Sequence, residues 1–381
     1  MRCLPFALLL LACAEDPAAS KGGESVEPEP LNLPADLAEN GVPVGVMTLE
    51  YEGLTVEVWY PAAESARTSA TEAADFMAFV PAAVTDLLPS FSFPLVETGA
   101  VRDAPLRPPE APYPVVFFSH GFGGTRLQSV DFTVHLASRG YVVVATDHHG
   151  RSMTDLLPCL FTGMEGCDLS GFSSDPGAAD LPVLADWSEE AAADGFFAGA
   201  LDLSKRGLAG HSAGGGSTAT VGSTDTRFSA LMPMAAGAAP DRDVPTLLLG
   251  ASCDSFATDA SMRAAATQLQ QGQLVHILGA GHLAPSDLCE LDLKGLADEL
   301  LVGRDDVNAA LLSQLVNLAS DGCPGIAPLV DTCGEAYLPL EVSDEIIRAA
   351  STGFFDAHLR ETGGGVDMSA FSDVEVVPAG G

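Results

Sequence analysis

Between residues 14 and about 42 the chain has no hydrophobic period; Pro, Glu, Ala and Gly dominate, as in Glu24-Ser25-Val26-Glu27-Pro28-Glu29-Pro30. Such a segment buries too little apolar surface to offset the entropy of ordering it, and it predicts a disordered tether. Near Val44 the pattern becomes regular. Leu54, Val56, Val58 and Tyr60 alternate with polar or small neighbours, the period-2 signature of a half-buried strand. Together with Val46 to Tyr51 it predicts an antiparallel hairpin across Glu52-Gly53. From Pro114 the apolar runs become continuous: Val115 to Phe118, Tyr141 to Thr146, Leu231 to Ala235, Thr246 to Gly250 and Leu274 to Leu278. Helical sequence, from Thr125 to Ser138 before Gly140 and from Met262 to Gln270, separates runs. This alternation predicts an α/β fold, a mostly parallel central sheet with helices on both faces.

Two segments interrupt the alternation and read as insertions near the cleft. Residues 150–185 are rich in Gly, Ser and Asp, and residues 286–345 are helix-prone. Both leave the sheet where its strands end, so either a lid or surface decoration is compatible with their position. Val342 to Leu359 reads as a closing helix, with Ile346, Ile347, Phe354 and Phe355 on its core face. There is no internal repeat and no second core. The expected organisation is a signal peptide (1–12), a tether (13–43), one catalytic domain (44–365) and a C-terminal tail (366–381).

Charge narrows the function. Asp and Glu number 52 against 17 Lys and Arg, a net charge of −35. Phosphate binding needs cations, so nucleic acid is excluded as a partner. The N-terminus bears on location. Arg2 precedes an apolar run from Leu4 to Ala12, too short for the ~20 residues that span a bilayer. The run ends Leu10-Leu11-Ala12-Cys13, which resembles a bacterial lipoprotein signal box. That resemblance implies cleavage before Cys13, acylation of its thiol and export to the cell envelope, with Ala14 pointing to a Gram-negative outer membrane. An ordinary secretory peptide is the alternative. Beyond Cys13 stand Cys159, Cys167, Cys253, Cys289, Cys323 and Cys333. An even number in an exported chain suggests disulfides, and six thiols allow 15 connectivities. Short loops favour Cys159–Cys167 and Cys323–Cys333, which leaves Cys253–Cys289. No C-x-x-C pair is present, which argues against a zinc ribbon.

The candidate chemistry starts at Gly210-His211-Ser212-Ala213-Gly214, which fits G-x-S-x-G. A nucleophilic serine must sit on a tight strand-to-helix turn, where flanking glycines remove Cβ clashes. Leu208-Ala209 supplies the end of a strand, and the small residues after Gly214 suit a helix packed close to a sheet. The competing reading is a Gly-rich turn with an inert serine. The hydroxyl needs a base, and the base needs an orienting acid, in the chain order Ser, Asp, His. Asp254 follows the run ending at Gly250, and His282 follows the run ending at Leu278. His276 lies inside a strand and reads as a core histidine. Asp259 reads as a helix start, and Asp241 and Asp243 precede a strand. Oxyanion donors are expected at the backbone N–H groups of Ala213 and Phe122, the latter in the loop His120-Gly121-Phe122-Gly123-Gly124. Gly121, Phe122 and His211 are the expected substrate contacts. Asp147-His148-His149 and nearby His120 and His211 match no standard metal spacing, so no metal and no cofactor is expected.

These residues carry a family likeness. Phe118-Ser119-His120-Gly121-Phe122-Gly123-Gly124, with Leu136-Ala137-Ser138-Arg139-Gly140-Tyr141 and His148, resembles the platelet-activating-factor acetylhydrolase-like and dienelactone-hydrolase-like branch of the α/β-hydrolases. Val56-Glu57-Val58-Trp59-Tyr60-Pro61 fits the same branch. The second half is similar to bacterial cutinases and polyester hydrolases, in Gly210 to Gly216 and in Val244-Pro245-Thr246-Leu247-Leu248 through Cys253-Asp254-Ser255. That likeness implies a cysteine in the acid loop pairing beyond the histidine. The chain departs from polyester hydrolases at Ala235-Ala236-Gly237-Ala238-Ala239-Pro240, where they carry a substrate-stacking Trp, and in residues 286–345. The expected protein is an exported serine ester hydrolase, monomeric and tethered to the membrane through Cys13, and the Phe-rich and Ala-rich surroundings of its loops point to short-to-medium acyl or aliphatic esters. Polyesters and platelet-activating-factor-type acetyl esters are the alternative substrates. A non-catalytic binding lipoprotein of the same fold is the rival function.

Overall fold

Glu52 and Gly53 have φ of 48° and 82°, the pair of left-handed conformations that lets a two-residue turn follow the twist of its strands. The turn joins β1 (Val44–Tyr51) to β2 (Leu54–Pro61) in antiparallel register. The structure is a computed structural model and describes residues 41–89, 91–291, 306–308, 310–311, 335–362 and 364–380. The expected signal peptide, Cys13, nearly all of the tether, Cys323, Cys333 and most of segment 286–345 lie outside the described residues. Strand β2 departs from the half-buried expectation. Val56, Val58 and Tyr60 pack into one core cluster and Trp59 into the other. Between them Glu57 is 1% exposed and holds Arg102 and Arg126.

The remaining elements follow in order: β3 (Ala73–Ala74), α1 (Ala82–Leu87), β4 (Val96–Glu97), β5 (Ala100–Arg102), β6 (Tyr113–Ser119), α2 (Val130–Ser138), β7 (Val142–Thr146), α3 (Met153–Cys159) and α4 (Pro176–Ala193). Then come β8 (Leu201–His211), α5 (Ala213–Thr224), β9 (Phe228–Met234), β10 (Thr246–Ala251), α6 (Asp259–Ala266), β11 (Gly272–Ile277), α7 (Leu340–Leu359) and β12 (Val374–Pro378). Among the described residues ten strands form one sheet in the order β12-β11-β10-β9-β8-β6-β7-β2-β1-β5. The six from β11 to β7 run parallel, and β2 and β12 flank them antiparallel. After β6 the chain moves out to β7, then returns past β6 to β8. The order reverses there, and such a switch point opens a crevice at the carboxyl ends of the strands.

Three differences from the sequence reading have local causes. Helix α2 starts at Val130, not Thr125, because its cap comes from elsewhere in the chain: the N–H groups of Val130 and Asp131 donate to the Asp287 carboxylate. Only the first part of 150–185 is an insertion. Its last ten residues open α4, an ordinary crossover helix packed on α5 and β8; Asp175 caps it and Pro176 starts it. The expected tail supplies β12, which pairs with β11 from Gln273 opposite Pro378 to Ile277 opposite Val374.

Where α2, α7 and the turn at Asp287 meet, carboxylates crowd together. Asp131 pairs with Arg348. Burial and its acidic neighbours push Asp287 well above the usual carboxylate range, Glu290 up to about 7 and Asp344 up to about 8. These groups keep protons in the folded state that the unfolded chain releases near pH 4, so their contribution to stability falls as pH rises from about 4 to about 8. Asp344→Asn is therefore expected to raise unfolding free energy by about 1–2 kcal/mol at pH 8.5. At pH 4 it gains little, and urea titrations at the two pH values read the difference.

Candidate active site

Strand β8 ends at His211 and α5 begins at Ala213, so Ser212 alone makes the turn. Its φ of 55° and ψ of −118° cost about 1–3 kcal/mol for a residue with a Cβ. Neighbours hold it there: its N–H donates to Met234 O at 2.8 Å, and its carbonyl accepts from Gly216 N at 3.1 Å. The glycines permit the close crossing. A Cβ on Gly210 would lie 2.4 Å from Gly214 O, and one on Gly214 would lie 1.9 Å from Ser119 O.

The structure brings Ser212, Asp254 and His282 together at the carboxyl edge of the sheet. His282 Nε2 is 2.9 Å from Ser212 Oγ, and His282 Nδ1 is 3.0 Å from both Asp254 oxygens. Asp254 Oδ1 also accepts from Phe256 N at 2.7 Å and Ala257 N at 2.8 Å. A carboxylate only accepts, so Nδ1 carries the imidazole proton and Nε2 is left to accept from the serine. The acid and base loops are tied by Ser252 N to Ile277 O, Cys253 N to Ala280 O and Gly279 N to Ser252 Oγ, at 2.8–2.9 Å. Cys159 is bonded to Cys167, and Cys253 and Cys289 are each disulfide-bonded. His276 is buried within β11, and Asp259 caps no acid role but starts α6 and pairs with Arg263.

Among the described residues, the N–H groups of Phe122 and Ala213 donate to no protein acceptor. Two expected substrate contacts need correction. His211 is only 2% exposed, and both ring nitrogens are occupied, Nδ1 by Gln128 Nε2 at 2.9 Å and Nε2 by His282 O at 2.8 Å. It braces the site from behind. Gly121 donates its N–H to Gln128 Oε1 at 2.9 Å. Its contribution is smallness, since a Cβ there would lie 3.2 Å from Ser212 Cβ.

Sequence reasoning missed two exposed rings beside the base and the oxyanion loop. Phe256 lies 4.7 Å, ring centre to ring centre, from His282 and is 41% exposed. Phe172 stacks on Phe122 at 4.1 Å and is 50% exposed. Phe256 sits in a loop and Phe172 in a single 3-10 turn, Ser170–Phe172, and neither carries a hydrophobic pattern that would find it. Under the elbow lies a polar layer. His148 spans Ser119 Oγ at 2.9 Å and Asp180 at 2.8 Å, and buried Arg151 reaches Ser119 and Ser217. Burial holds His120 and His148 well below the usual histidine range and brings His211 down to about 3, so all three are neutral at neutral pH.

Comparison with known proteins agrees with this geometry. Residues 48–157 match the family model for platelet-activating factor acetylhydrolase, isoform II. A ferulic acid esterase from Streptomyces cinnamoneus is similar in fold, with a TM-score of 0.55 and 23% identity over 88% of this chain and 96% of the other. Sheet order and elbow define the class: the chain has the α/β-hydrolase fold. The family match is a likeness of the front segment, residues 48–157, to that acetylhydrolase family.

Proposed function

We propose that the protein is an extracytoplasmic serine carboxylic ester hydrolase that works through an acyl-enzyme on Ser212. One observation carries the reading: an unbroken chain from Ser212 Oγ through His282 to Asp254, beside two uncommitted N–H groups. Ser212 Oγ attacks the ester carbonyl while His282 Nε2 takes its proton. Asp254 holds the imidazolium that forms. Ala213 and Phe122 N–H groups receive the oxyanion. The imidazolium then protonates the leaving alcohol, and a water, deprotonated by the same nitrogen, releases the acid. The chain's own groups suffice, with no cofactor.

The exposed rings of Phe172 and Phe256 favour an apolar acyl or alkyl group, consistent with short-to-medium acyl or aliphatic esters. Their flat faces also suit esters of an aromatic acid such as ferulic acid, the kind on which the esterase of similar fold acts by its name, which is the second reading. A p-nitrophenyl ester series from acetate to dodecanoate, run beside methyl ferulate, a polyester film and a phospholipid, separates these. Phe256→Ala is expected to lower kcat/KM on the best ester about 5–30-fold, mainly through KM, since one ring face is worth ~1–2 kcal/mol. No turnover of any ester favours the binding lipoprotein.

The N-terminal sequence and the Cys159–Cys167 disulfide support export to an oxidising compartment, with anchoring at Cys13. Cys13→Ser is expected to move the protein from the membrane fraction to the soluble one. No helix among the described residues is long and apolar enough to cross a membrane.

A further inference from the structure

The ester-hydrolase reading needs three segments in register: the oxyanion loop after β6, the elbow after β8 and the base loop after β11. Strands β6 and β8 are neighbours, but β9 and β10 separate β8 from β11. Sheet hydrogen bonds therefore do not by themselves fix the base loop against the elbow. One buried side chain touches this problem from the middle. Gln128 Oε1 accepts from Gly121 N at 2.9 Å, and Gln128 Nε2 donates to His211 Nδ1 at 2.9 Å. His211 Nε2 then donates to the carbonyl of His282 at 2.8 Å. The backbone continues the tie: Asp287 N donates to Gln128 O at 2.9 Å, and Ser129 Oγ donates to Pro285 O at 2.8 Å.

We propose that Gln128 is a positioning residue, its amide locking the oxyanion loop to the elbow and, through His211, to the loop that carries the base. The assignment rests on the ester-hydrolase reading of Ser212. The polarity of the relay is forced. A backbone N–H can only donate, so Gln128 must offer its oxygen to Gly121 and its NH₂ to His211. That leaves the His211 proton on Nε2, the only tautomer able to hold the His282 carbonyl. Burial keeps His211 from taking a second proton. Space is reserved for the amide as well: a Cβ on Gly124 would lie 2.1 Å from Gln128 Oε1.

The polarity makes the assignment testable by pH. Gln128→Glu keeps shape but removes the donor unless the pair formed by positions 128 and 211 holds one extra proton. The other titratable groups nearby are His282 with Asp254, His120 beside Gly121, and Asp287, whose N–H donates to the Gln128 carbonyl. Wild-type titration of these cancels when kcat of the variant is divided by kcat of the wild type. We expect that ratio to approach one at acidic pH and to fall about 10–100-fold as pH rises. Gln128→Leu, lacking both hydrogen bonds, is expected to lose a similar factor in kcat at every pH, with KM within about threefold. A purely structural amide would give a pH-independent ratio. A flat ratio for Gln128→Glu, whether or not Gln128→Leu folds, overturns the assignment while Ser212-dependent turnover in the wild type leaves the ester-hydrolase reading standing. Wild-type protein without Ser212-dependent turnover overturns both.

Discussion

Ser212→Ala is expected to cut ester turnover about a millionfold, to the residue that oxyanion donors and binding supply without a nucleophile. The side chain faces the mouth at a fixed turn, and Ala removes only Oγ. The fold should be retained, since the turn is held by backbone bonds to Met234 and Gly216. Far-ultraviolet circular dichroism and the urea midpoint check that, and initial rates on a p-nitrophenyl ester measure the loss. Because among the described residues no other serine is paired with the histidine that Asp254 holds, adding Asp254→Ala to Ser212→Ala should cost little more. Residues that act as one unit are not additive.

Asp254→Asn is expected to lower kcat about ten-thousandfold. The geometry dictates how. Oδ1 accepts from Phe256 N and Ala257 N, so an asparagine must keep its oxygen there. Its NH₂ then lands where Oδ2 faces His282 Nδ1 at 3.0 Å. An NH₂ can only donate, and although Oδ1 also stays 3.0 Å from Nδ1, the new donor beside it disfavours a proton on Nδ1 and favours the tautomer with the proton on Nε2. That nitrogen can no longer take the serine proton. Binding contacts are untouched, so KM should change little while kcat collapses, and steady-state kinetics on the same ester separates the two.

Much of this was legible before any coordinates. The parallel sheet was written in continuous apolar runs; Asp254 and His282 each stand in the short loop after one such run, and Ser212 follows the strand end at Leu208-Ala209. Placement after a strand end is a local property, so local patterns found it. What was missed depends on contacts between distant segments. The cap of α2 comes from Asp287, over 150 positions away, and no local rule anticipates it. His211 sits next to the nucleophile and reads as a substrate contact, but the turn that aims Ser212 outward aims its neighbour inward to Gln128 and His282. Gln128 carries no motif; its role is set by Gly121 and His211, on two other strands' ends. Strand β12 spans only five residues, Val374-Glu375-Val376-Val377-Pro378, a signal easily taken for a tail. Pro176 and Pro182 hid α4 in the same way.

The central claim is that Ser212 forms the covalent intermediate. Intact protein treated with a fluorophosphonate and mapped by peptide mass spectrometry tests it most directly. The account predicts one stoichiometric adduct on the peptide containing Ser212, absent from Ser212→Ala and formed far more slowly in Asp254→Asn. An unlabelled wild type, or an adduct that persists on another residue when Ser212 is replaced, would contradict it.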